Sequence, residues 1–224
     1  MKYVWKNMAW KTGLCAVGFA LLFLLMAKIL GRDPWTTFRT LWGGEPLGSV
    51  VQRGGFLLTC LLSQYPNYDS VVYFLKGNGP LVVRYGGKKR VFLTMWKVLL
   101  VGQLGFVLLG FGLSLLAGSA IGLGGNPLTA SQGLAMLGKT YLFALLLTQG
   151  QVLLLILLRG DRAFLALVAV AYGLSLLSWR APRVWLFPVE TTPAVHPSFL
   201  LCWVLVTLVL TLATVRIVET KESL

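Results

Sequence analysis

Long uncharged runs separated by short polar punctuation dominate this chain. A helix needs about 20 apolar residues to cross the roughly 30 Å hydrocarbon core of a bilayer. Residues 13–30 form the first such run, interrupted only by Lys28. Val98 to Gly138 carries no charged side chain, which is room for one span, a turn and the start of another. The turn falls within 118–133, where Gly122-Leu-Gly-Gly-Asn-Pro127 breaks a helix. A further uncharged run covers 140–158, and Arg159-Gly-Asp-Arg162 reads as a tight polar turn. Residues 47–65 read as a largely apolar run interrupted by Gln52 and Arg53, and Tyr65-Pro-Asn-Tyr-Asp69 reads as a break. The pattern predicts an all-α polytopic membrane protein with six spans, near 13–30, 47–65, 98–118, 138–158, 163–179 and 198–215. These make one transmembrane domain over 13–224. No small-residue cleavage site follows Leu30, so a signal peptide is not expected.

Residues 1–12 read as an interfacial amino-terminal segment. Tyr3, Trp5 and Trp10 alternate there with Lys2, Lys6 and Lys11. Indole rings sit well at headgroup level and lysines pair with anionic lipid, which makes Trp5 and Trp10 candidate interfacial anchors. The alternative is that they merely flank the first span.

Charge sharpens the picture. The chain has 224 residues, 57% hydrophobic and 12% charged, with 20 Lys+Arg against 7 Asp+Glu. Basicity in a soluble protein suggests nucleic acid. In a chain this apolar it suggests cationic loops sorted to one side of a membrane, with no nucleic-acid partner. Six spans put both termini together. The other side then keeps Lys28, Arg32, Arg39, Arg53, Lys139, Arg180 and Arg183, and the remaining majority of basic residues marks the cytoplasmic side. The expectation is a plasma-membrane protein with both termini in the cytoplasm.

Candidate chemistry is sparse. Cys15, Cys60 and Cys202 lie apart in apolar runs, with no Cys-x-x-Cys pair, and His196 is the sole histidine. A structural zinc site is therefore not expected, bis-histidine haem ligation within the chain is impossible, and no metal is expected. The seven acids fall in predicted loops and tails, which leaves no intramembrane carboxylate pair for catalysis or proton coupling. Ser114, Ser175, Thr148, Gln103, Gln149 and Gln151 are polar groups inside apolar runs. They either line a polar path or hydrogen-bond between helices. Gly118-x-x-x-Gly122 and Gly102, Gly105, Gly110 and Gly112 allow close helix approach. Gly133 to Thr140 matches the phosphate-loop pattern Gly-x-x-x-x-Gly-Lys-Thr. That chemistry needs a preceding strand and an acidic magnesium partner, yet no acid lies between Asp69 and Asp161. The chain is expected to bind no cofactor of its own and not to be an enzyme.

Lys76 to Lys97 is the most informative stretch, with Lys76, Arg84, Lys88, Lys89, Arg90 and Lys97 and no acid. Gly77, Gly79 and Pro80 punctuate its start. It is either an ordinary positive-inside loop or a presenter of one small helix or turn to a partner. Val83-Arg84-Tyr85-Gly86-Gly87-Lys88-Lys89-Arg90, followed by an apolar helix with Trp96, resembles a cytoplasmic stretch between the second and third spans of small ABC-2 transporter permeases of Gram-positive bacteria. It departs from that pattern at Gly87, where serine is usual, and in the displaced Trp96. The resemblance implies six spans and a translocation path, coupled to a separate cytoplasmic ATPase through Arg84, Tyr85, Lys88, Lys89 and Arg90. ATP and magnesium would sit on that partner. It also implies a second permease subunit, identical or a paralogue, and export of an amphipathic peptide or lipid-like substrate. The competing expectations are a non-catalytic anchor or assembly subunit of a larger membrane complex and, more remotely, a lipid-modifying membrane enzyme.

Overall fold

Stripes of inward residues every three or four positions run through the long apolar segments, and they fold as helices. The computed structural model describes residues 2–31, 33–43, 47–76, 78–122, 129–158, 161–180, 205–214 and 216. All regular structure among them is helical: α1 (Lys2–Leu30), α2 (Pro34–Leu41), α3 (Val50–Lys76), α4 (Asn78–Tyr85), α5 (Lys88–Ala120), α6 (Ala130–Leu157) and α7 (Asp161–Arg180), then α8 (Leu205–Thr214). Three stretches, Val4–Leu30, Lys88–Ala120 and Ser131–Leu157, are long and apolar enough to cross a membrane. Leu165–Leu177 and α8 are shorter apolar helices. Leu14, Leu21, Leu25 and Ile29 form an exposed stripe down α1, and Leu100, Leu104 and Leu108 another down α5. Such continuous apolar exteriors suit lipid rather than water.

Two packed layers hold the bundle. At one end Val4 and Met8 of α1 meet Val71 and Phe74 of α3, Leu81 of α4, Phe92, Met95 and Trp96 of α5, and Ile156 of α6. The amino terminus, the α3–α4–α5 turn and the carboxyl end of α6 therefore lie together. The other layer is aromatic. Phe19 stacks edge-on against Phe38 at 5.8 Å and Phe106 at 6.0 Å, and Trp42 meets Phe143 at 6.3 Å. Edge-to-face pairs of this kind add about 0.5–1.5 kcal/mol each beyond burial. Gly102 and Gly110 let α1 approach α5: a Cβ at either would meet Met8 Sδ at 2.8 Å or Phe19 Cδ1 at 3.1 Å.

The α2 helix, unforeseen between the first two spans, supplies Phe38, Leu41 and the adjoining Trp42 to the aromatic layer. Asp33 caps it, accepting from the Trp35 and Thr36 amides at 3.0 Å and from the Thr36 hydroxyl at 2.5 Å. Burial pushes the Asp33 carboxyl up, but these bonds and Arg39 outweigh it and hold the group below its ordinary value.

Several limits differ from the sequence expectation. Residues 2–12 continue α1 without a break because Val4 and Met8 pack inward. Tyr65 to Asp69 is not a break: α3 runs through it, with Pro66 buried inside the helix. Its polar residues Gln52, Thr59, Ser63, Gln64, Asn67 and Ser70 recur at helical spacing and are buried. They are buried on α3 beside Phe56, Cys60, Val71 and Phe74, so polarity there marks an interior seam rather than a loop. The α5 helix begins at Lys88, ten residues before the expected span. At 1.5 Å per residue it is about 50 Å long, which lets its charged first turns project beyond the hydrocarbon. The spans expected at 163–179 and 198–215 correspond to α7 and, in part, α8; residues 181–204, with His196, lie outside the described ones.

Candidate functional site

The α3–α4–α5 turn is built from glycine punctuation and one amphipathic turn of helix. Leu81 and Tyr85, four apart on α4, face inward onto the layer formed by Val4, Phe74 and Phe92. Val83 and Arg84 face out, and Val83 is 84% exposed. Gly86 (φ +71°) and Gly87 (φ +141°) then turn the chain, and α5 starts with the Val91 amide donating to the Gly87 carbonyl at 3.2 Å. Both glycines occupy backbone regions that L side chains rarely adopt. Lys89 and Arg90 are exposed in the first turn of α5, and Lys88 is half-buried. The corner thus exposes Val83, Arg84, Lys89 and Arg90 within eight residues of chain. Tyr85 instead anchors α4 from beneath, half-buried. Sequence reasoning passed over Val83; its position two residues from Leu81, about 200° around a helix, carries the signal.

Of the aromatic anchors, Trp10 is 71% exposed, whereas Trp5 packs partly buried against the amino-end layer. Just beyond, the Lys11 ammonium pairs with the Asp69 carboxylate and lies 5.0 Å over the Tyr65 ring. Asp69, expected in a loop, becomes a link between α3 and α1 because α3 does not end at Pro66.

Midway down the bundle lies the polar seam. Asn67 Nδ2 donates to Gln103 Oε1 at 2.7 Å and to Thr148 Oγ1 at 3.3 Å. The Thr148 hydroxyl has two acceptors in reach, Gln64 Oε1 at 3.0 Å and the Ala144 carbonyl at 2.9 Å. Gln151 Nε2 donates to the Gln64 carbonyl at 3.3 Å, and Gln149 Nε2 reaches Thr207 O and Thr211 Oγ1, each at 3.1 Å. The seam ties α3, α5 and α6 together, with α8 held from the far face. Gln103, Thr148, Gln149 and Gln151 are therefore interhelical bonding groups. Ser114 and Ser175 bond back to carbonyls of their own helices, Gly110 at 2.7 Å and Tyr172 at 2.6 Å. Asn67, at the centre of the seam, lies in the expected break from Tyr65 to Asp69, and Gln64 just before it, within the span expected at 47–65.

Gly133 to Thr140 lies wholly within α6. Its amides are committed to a helix, so no phosphate cradle forms there. Among the described residues no group of three or more His, Cys, Asp or Glu could hold a metal ion. No protein family matches the chain, and no curated protein or solved structure does.

Proposed function

We propose that this chain is the membrane-spanning permease subunit of an ABC-2 type exporter, coupled to a separate cytoplasmic ATPase. The observation that carries the reading is the α4 corner: a short amphipathic helix between two long ones, at the same end as the amino terminus. It is fastened by Leu81 and Tyr85 and presents Val83, Arg84, Lys89 and Arg90 outward. An exposed apolar residue and exposed cations on one short corner suit an acidic groove on a partner: the cations steer encounter and the valine supplies burial. A simple positive-inside loop needs the charge but not the positive-φ Gly86–Gly87 turn or the packed underside.

On this reading six spans place both termini in the cytoplasm of the plasma membrane. ATP and magnesium are bound by the partner, and a second permease, a copy or a paralogue, completes the translocation path. ATP-driven closure of the partner pushes on α4, and the stiff α5 carries that displacement into the bundle. A membrane anchor subunit is the second reading, favoured by the lipid-suited exterior and the interhelical bonding of the seam.

The test is charge reversal. Arg84→Glu/Lys89→Glu/Arg90→Glu alters only exposed side chains. The variant is expected to insert and fold normally but to lose at least tenfold in co-purified ATPase and in export, and the wild-type association is expected to weaken with salt. Unchanged association would remove the corner from the coupling role.

A further inference from the structure

A lateral cavity of about 420 Å³ opens between α3, α6 and α7 beside the polar seam. Its volume falls in the range of small-molecule sites. Leu61, Leu165 and Leu167 make its walls mostly apolar, and Gln64, Tyr65 and Gln151 supply the polar groups. No charged side chain is among its described lining residues. Gln64 and Gln151 are 1% and 3% exposed, and Gln151 Oε1 accepts no hydrogen bond from the protein. A buried amide oxygen without a donor costs about 1–3 kcal/mol, a cost that a donor on a molecule bound in the cavity lined by Gln151 would offset. Tyr65 is 51% exposed, and the Lys11 ammonium over its ring is already paired with Asp69.

The geometry points to a binding site for an uncharged amphipathic molecule that packs an apolar body between Leu61 and Leu165 and donates one hydrogen bond to the Gln151 amide. Charge is selected against because the walls offer an ion neither a counter-charge nor a ring of donors, and desolvating it there has no compensation. The binding inference rests on the cavity alone. Its role as a substrate site rests on the permease reading, for which it specifies neutral export substrates.

N-phenyl-1-naphthylamine, an uncharged amphiphile with one N–H donor, is the probe. It is titrated by fluorescence into the full chain in phosphatidylcholine nanodiscs, against empty nanodiscs. Saturable binding is expected. Leu165→Trp, at an exposed position that can take the larger ring, should abolish it by filling the cavity. Gln151→Leu should weaken it about tenfold, one hydrogen bond's worth. The anionic analogue 8-anilinonaphthalene-1-sulfonate should not displace it. Non-saturable partition, or binding unchanged in both variants, overturns the site; displacement by the sulfonate at similar concentration overturns its selectivity for neutral ligands. No ATPase enters this assay. A chain that binds the probe but recruits no ATPase keeps the site and loses the permease role.

Discussion

Asn67→Leu should destabilise the bundle by about 1–3 kcal/mol, although it replaces a polar residue with an apolar one inside an apolar protein. Asn67 Nδ2 serves both Gln103 and Thr148. Its removal strands the Gln103 amide, whose Nε2 already lacks a partner. Hydrogen bonds between membrane helices are often worth less than about 1 kcal/mol, since the separated helices find other partners. The larger part of the loss is therefore the unpaired Gln103, not the missing bond. The double variant Asn67→Leu/Gln103→Leu follows from this: it removes both partners and should recover at least half of the loss. Reversible unfolding of the single and double variants in one lipid composition measures the coupling directly. Strictly additive losses would contradict the seam as a cooperative unit.

Gly87→Val should act elsewhere. At φ +141° a β-branched side chain is strained, at a cost of order 1–3 kcal/mol. No atom outside the glycine's own neighbourhood lies within 4 Å of the added Cβ, so the penalty is conformational rather than steric. The long helices should remain, with the strain relieved by releasing α4 from its seat. Amide exchange over residues 78–90 should accelerate while the centres of α1, α5 and α6 stay protected. ATPase association should fall as far as in the charge-reversed variant, though every cation is still present. Unaltered exchange in α4 would mean that the glycine pair does not set the corner.

The long apolar helices were legible because their signal is cumulative: α1, α5 and α6 each carry about 20 apolar residues with few charges. Their limits were less so. The starts of α3 and α6 at 50 and 130, rather than 47 and 138, follow two local signals. Ser49-Val-Val-Gln52 and Thr129-Ala-Ser-Gln132 both form reciprocal capping boxes, with bonds of 3.0–3.1 Å at the first and 3.0–3.4 Å at the second. The run Tyr65 to Asp69 misled because proline and clustered polar residues ordinarily punctuate a water-exposed chain. Inside a helical bundle, Gln103 and Thr148 take up Asn67 and Lys11 takes up Asp69, and the helix continues. The small helix in the basic segment was one alternative beside an ordinary loop, and Gly79 and Pro80, expected to break the chain, lie inside α4. Tyr85 facing in and Val83 facing out run against residue type; both follow from helical spacing once the inward face of Leu81 is fixed by packing.

The most direct measurement for the permease account is a photo-crosslinking side chain placed at Val83 in the full-length protein in its native membrane, with the captured species identified by mass. The account predicts a nucleotide-binding ATPase, joined through its surface, with capture lost in the Arg84→Glu/Lys89→Glu/Arg90→Glu background. Capture of lipid alone, or of a protein without a nucleotide site, would contradict it.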